Sequence, residues 1–190
     1  MNRITMDNIV QDPNPVLRQK AEWVSFPLQS EDIEAIEAMI QYVNDSRDDE
    51  LAEKYNLQPA NGIAAPQIGI SQQMTVIVVE VPTKDGGVTE VSYALINPKI
   101  VSHAVKQAAL SYGEGCLSIS EEHPGLVRRA QRITIEAYDY ITKKDVRIVA
   151  KDMLAIVLQH EIDHLNGVLF YDHIDQNNLW VAEEGLKIIE

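Results

Sequence analysis

Apolar residues change their spacing several times along this chain, and each spacing predicts an element. Ile33, Ile36, Ile40 and Val43 recur at helical intervals, which predicts an amphipathic helix over residues 31 to about 45. Ser30 is the expected N-cap. Glu31, Asp32 and Glu34 then load the first turn with the negative charge that a helix dipole favours. Asp45 to Glu50 carries no apolar period and reads as a solvated connection. Thr75 to Val81 is a short run rich in valine, the pattern of a buried strand. Asp85-Gly86-Gly87 is a turn signal, and Val88 to Ile96 resumes extended structure, so the two runs form a hairpin. Asn97-Pro98 is expected to break the second strand. Ile133, Ile135 and Ala137 alternate with Thr134, Glu136 and Tyr138 in another strand, and residues 142–145 turn into Val146 to Val149. Asp152 to Leu165 is helical, with Asn166-Gly167 as its stop signal. Helix, strands, one long buried helix and a tail make an α+β fold, with mostly antiparallel sheets folded around one central helix.

Composition narrows the function. A chain of 190 residues is the size of one compact domain, here residues 1–190. Its net charge is −13, from 16 basic and 29 acidic side chains. Binding to bare nucleic acid by charge alone is therefore not expected. No apolar run approaches the roughly 20 residues that span a membrane, and the N-terminus has no secretory h-region, so a cytoplasmic protein is expected. Cys116 is the only cysteine, which excludes an intramolecular disulfide. A lone cysteine is either a small core hydrophobe or a reactive or metal-bound thiolate, and its neighbours decide between them.

The chain also carries a metal-binding pattern. His160-Glu161-Ile162-Asp163-His164 is an H-E-x-x-H motif inside the predicted helix. Residues four apart share a helical face, so both imidazoles reach one ion, and Glu161 reaches a water beside it. A third protein ligand is required. The pattern that supplies a downstream histidine is followed through Gly167, but Phe170 stands where the histidine belongs. Glu183 and Glu184 lie downstream, with little chain around them to return to the helix. The alternative is Cys116 in Glu114-Gly115-Cys116-Leu117-Ser118, where glycine lets the backbone approach and a thiolate suits a transition metal. Met153, Ile156 and Val157 share the histidine stripe and stand beside the metal; they read as core, or, for Ile156 and Val157, as the lining of a substrate pocket. His103, His123 and His173 have no partner at ligand spacing, and one of Arg128 and Arg129 is expected to pair with Glu114.

Three segments together resemble peptide deformylases: Gly62-Ile-Ala-Ala-Pro-Gln67-Ile-Gly69, Glu114-Gly-Cys-Leu-Ser118 and Gln159-His-Glu-Ile-Asp-His164. The resemblance runs from about Asp12 to Ile174, and the longer connections are similar to the second type of the family, common in Gram-positive bacteria. It implies hydrolysis of the formyl group from the formyl-methionine of nascent polypeptides, by a cytoplasmic monomer whose substrate emerges at the ribosome. Docking there would need a basic patch that the sequence does not show. It implies Cys116, His160 and His164 as ligands of one divalent metal, Fe(II), with Ni, Co or Zn as substitutes. Thiolate and imidazole ligands on general grounds suit zinc. Glu161 is implied as general base, Gln67 and the Leu117 N–H as oxyanion donors, Gly62 as a backbone partner of the substrate, and Ile156 and Val157 as pocket lining. One departure stands out: Ala60-Asn61-Gly62 replaces the usual Gly-x-Gly with its apolar middle residue. Two rival readings are a metallopeptidase that cleaves internal peptide bonds and a binding protein with a structural metal.

Overall fold

A computed structural model describes residues 3–190. Helix α1 (Ser30–Ser46) leads into a short α2 (Asp49–Tyr55). Strands β1 (Gly62–Ala64), β2 (Met74–Pro82) and β3 (Val88–His103) follow, then β4 (Gln107–Leu110), β5 (Arg129–Ala130), β6 (Arg132–Asp139) and β7 (Lys144–Lys151). Helix α3 (Asp152–Leu165) and β8 (Lys187–Ile189) complete the order. One sheet has five antiparallel strands in the order β1-β2-β3-β6-β7, and the other has three in the order β5-β4-β8.

The valine-rich run is β2, and its two faces explain why it is apolar throughout. Met74, Val76 and Val78 pack with Ile36, Met39 and Val43 of α1. Ile77 and Val79 pack with Leu154, Leu158 and Ile162 of α3. Period-two alternation therefore divides one strand between two cores, and a strand buried on both faces has no polar register. Ile133, Ile135 and Ala137 join the α3 side, as their alternation predicts. The helix α3 touches strands of both sheets. It is thereby set in apolar surroundings, with Leu154, Ile156, Leu158 and Leu165 buried.

Four expectations need correction. The α1 cap is Gln29 rather than Ser30, and the Gln29 N–H donates to Asp32 Oδ2 at 2.9 Å. The polar stretch from Asp45 to Glu50 is largely helical. It lacks an apolar period, but Asp48 caps α2 by accepting from Leu51 N–H at 3.0 Å, and acids then basic Lys54 match the dipole. Asn97-Pro98 does not end β3. The pairing to β6 shifts register between Ile96 and Lys99, which is a bulge. Asn97, at φ 53°, turns its buried amide to the Val24 backbone, accepting from its N–H at 2.9 Å and donating to its carbonyl at 2.8 Å. The tail holds β8, which pairs with β4 in parallel.

Candidate metal centre

The H-E-x-x-H residues lie in α3. Its spacing brings the rings of His160 and His164 to 5.0 Å between centroids. Cys116 comes from the loop after β4, and its Sγ lies 3.3 Å from His164 Nε2. One donor atom from each of Cys116, His160 and His164 falls within 4.8 Å of the others, and no other such group of three occurs among the described residues. Thiolate and neutral imidazole are suitable donors for a divalent transition metal, and three of them leave room for a further ligand. The residues present fit the ion that the motif calls for.

A chain of buried charges orients the first histidine. His160 Nδ1–H donates to Glu114 Oε2 at 2.8 Å, which leaves Nε2 as the nitrogen available to an ion. Arg129 grips the same carboxylate with two bonds, Nε to Oε1 at 2.6 Å and Nη2 to Oε2 at 2.9 Å. Its Nη1 donates to Asp163 Oδ2 at 2.8 Å, and His173 Nε2 meets that same oxygen at 2.8 Å. Burial pushes the Glu114 carboxyl up, but the Arg129 charge and the bonds from His160 and Arg129 outweigh it and hold it at about 2. Strand β5, which carries Arg129, is tied to α3 by Gln159: its Oε1 accepts from Ala130 N–H at 3.0 Å and its Nε2 donates to Ala130 O at 2.9 Å.

Glu161 has the opposite environment. It is buried, Oε2 has no hydrogen-bond partner among the described residues, and desolvation raises its pKa to about 7 against the pull of His160 and Arg129. A carboxyl with that affinity can both take and return a proton near neutrality. Gly62 makes room for it: a Cβ there would stand 2.6 Å from Glu161 Oε1. Gln67 sits in the 3-10 turn Ala65–Ile68 directly after β1. Its Oε1 accepts from Ala64 N–H at 2.8 Å, so its NH₂ faces the other way, 3.4 Å from Cys116 Sγ and 3.3 Å from Ser118 Oγ.

Residues 6–180 match the family model described as polypeptide deformylase. The chain belongs to that family. Peptide deformylase 2 of Bacillus anthracis is 49% identical over 187 residues, 98% of this chain and 99% of that protein. A peptide deformylase of Staphylococcus epidermidis is 49% identical over 186 residues, 97% of this chain and 100% of that protein. Among solved structures, a class I type b peptide deformylase from Acinetobacter baumannii, bound to Met-Ala-Ser, has 25% identity and a TM-score of 0.69. The match covers 92% of this chain and 100% of that one.

This deformylase has a cleft of about 250 Å³ that collects nearly every residue singled out from the sequence. Gly62, Gln67, Cys116, Leu117, His160 and Glu161 all line it, together with Met153, Ile156 and Val157. His164, the remaining member of the group that could hold a metal, is buried at 1% exposure. Ile156 and Val157 belong to the core and line the cleft as well. The Leu117 carbonyl accepts from Gln11 Nε2 at 3.0 Å. Asn61, the departure from the family pattern, accepts from Arg47 Nη1 at 2.9 Å at the rim. Glu183 and Glu184 are exposed and outside the metal group, and Glu183 pairs with Arg128. His103, His123 and His173 are outside it too. Arg129 is the arginine that pairs with Glu114. Sequence reasoning missed Asp163 and Ser118. Asp163 sits three residues beyond His160 in the motif itself, and that spacing was the available signal; Ser118 gave none.

Proposed function

We propose that this chain hydrolyses the N-formyl group from the formyl-methionine of nascent polypeptides, releasing formate and a free N-terminal methionine. The observation that carries this reading is the convergence of Cys116, His160 and His164 with Glu161 and Gln67 in one cleft. In the reaction we assign, Glu161 takes a proton from the attacking water, whose oxygen bonds to the formyl carbon. Gln67 Nε2–H and the Leu117 N–H donate to the oxyanion that develops on the formyl oxygen. As the C–N bond breaks, Glu161 returns its proton to the leaving amine. A divalent cation held by Cys116, His160 and His164 supplies Lewis acidity and makes water a stronger acid. The outer edge of β1, which has β2 as its one sheet partner, pairs at Gly62 with the extended substrate backbone, and Ile156 and Val157 flank the methionine side chain.

Ferrous iron is the metal we assign, on the family resemblance; nickel, cobalt and zinc are substitutes that the same donors accept. We also read residues 1–190 as one catalytic domain around α3 as its central helix, acting as a cytoplasmic monomer on peptides leaving the ribosome. Its charge of −13 gives no general attraction to RNA. No helix among the described residues is long and apolar enough to cross a membrane. The test is formate release from a formyl-Met tripeptide by protein prepared without oxygen and loaded with Fe(II) or Ni(II). Glu161→Gln should bind the same metal and lose about 10³-fold in kcat. Wild-type turnover in that variant, or cleavage of unformylated peptides by the parent, would remove the reading.

A further inference from the structure

Strand β8 takes no part in the reaction above, yet it backs the wall of the same cleft. Leu110, Met153 and Ile156 line that cleft. Behind them Ile189 packs in one cluster with Ala108, Leu110, Ile156 and Met153. The strand is held to β4 in parallel, with Lys187, Ile188 and Ile189 opposite Ala108, Ala109 and Leu110. Ser111 N–H adds a bond to Ile189 O at 2.8 Å.

The same strand also holds the first turn of α3. Lys187 Nζ donates to Asp152 Oδ1 at 2.8 Å. Asp152 opens the helix at φ 53°, in the left-handed region, which is uncommon for side-chain-bearing residues and best tolerated by Asn and Asp, whose short polar side chains bond locally. Such a residue persists where its neighbours over-determine it. Here Gln131 donates to Oδ1 at 3.1 Å through Nε2 and accepts the Asp152 N–H at 2.9 Å on its carbonyl. Met153 is the next residue, so Lys187 and Gln131 hold the chain immediately before a residue that lines the cleft.

We propose that β8 is a specificity element of this enzyme. Ile189 and Lys187 are positioning residues that hold Leu110 of β4 and Met153 of α3 at a spacing that admits the unbranched methionine side chain and refuses a broader aromatic one. This rests on the reading that the cleft takes formyl-methionine. Ile189→Ala removes three carbons from behind the wall, and the lining residues can then retreat.

Formate release is measured with formyl-Met-Ala-Ser and formyl-Phe-Ala-Ser. Affinity is measured by calorimetry with Met-Ala-Ser and Phe-Ala-Ser, on the same metal-loaded proteins. In Ile189→Ala and Lys187→Met, kcat/KM for the methionine substrate should fall about 10-fold through KM, and the preference for methionine over phenylalanine should shrink about 10-fold. Ile188→Ala, whose side chain is 38% exposed, should leave both unchanged. A lower melting temperature with unchanged preference in both assays would make β8 a structural strand only and overturn the proposal. Absence of any preference in the parent would overturn it as well. If the parent releases no formate but binds Met-Ala-Ser selectively, and Ile189→Ala weakens that selectivity, the reaction is wrong while the assignment of β8 holds.

Discussion

Alanine at position 62 would place a Cβ 2.6 Å from Glu161 Oε1, 2.8 Å from Cδ and 2.9 Å from Cγ. Gly62 does not lie in the left-handed region, so alanine can adopt its backbone, and its pairing with Ile77 on β2 survives. The obstacle is the far end of one flexible side chain rather than backbone, so the fold yields at small cost and Glu161 moves instead. Ordinary contact begins at 3.4 Å, and the carboxyl oxygen must withdraw by about 0.8 Å, the difference from 2.6 Å. A misplacement of about 1 Å in a reacting group costs roughly 100-fold, or about 2.7 kcal/mol of barrier. Gly62→Ala is therefore expected to lower kcat about 100-fold while metal content stays at one per chain. The three atoms nearest the new methyl all belong to Glu161, and none to Cys116, His160 or His164. The assay is steady-state formate release alongside metal analysis and a thermal melt. A parental kcat would refute the reasoning, because the position of the Glu161 carboxyl against β1 would then not matter. Loss of metal would refute it differently, by showing that the damage spreads to the ligands.

Other perturbations test the supports of the site. Cys116→Ser should lower metal retention on dialysis against a chelator while the fold persists, since a hydroxyl is a far weaker ligand than a thiolate; metal analysis after dialysis checks it. Arg129→Met leaves the Glu114 carboxylate buried without its cation and should cost about 3–5 kcal/mol in urea unfolding, whereas a loss under 1 kcal/mol would mean that water replaces the guanidinium. Tyr42 is buried and donates to Gln58 O at 3.0 Å, and burial, partly offset by that bond, pushes its pKa up to about 12. The folded state keeps a phenolic proton that the unfolded chain releases near pH 10. Stability is thus intact below pH 10 and falls as pH rises toward 12, by about 2–3 kcal/mol. Tyr42→Phe should lack that portion of the alkaline decline in unfolding free energy; an identical decline would exclude Tyr42 as its source.

Much of this protein is legible one element at a time. The spacing of His160 and His164 is a property of any α-helix, so two candidate ligands and the neighbouring Glu161 could be read without tertiary information. The valine run of β2, the hairpin at Asp85-Gly86-Gly87 and the alternation of Ile133, Ile135 and Ala137 are likewise local, because pleat and turn geometry act over a few residues. The short α2 escaped because its signals are caps and charges rather than an apolar stripe. The bulge at Asn97 escaped because proline in a strand and proline ending a strand look alike until Val24 is seen to receive the amide. What only the tertiary structure decided are meetings across long stretches of chain. Cys116 reaches His164, Gly62 admits Glu161, and Glu114 and Asp163 share Arg129. Such pairs carry no period, since their register is set by how two sheets and a helix pack. A residue's type is written in the chain, but its protonation and its freedom to react depend on the neighbours and burial that packing supplies. That is why Glu114 and Glu161, the same amino acid, end with carboxyls at about 2 and about 7.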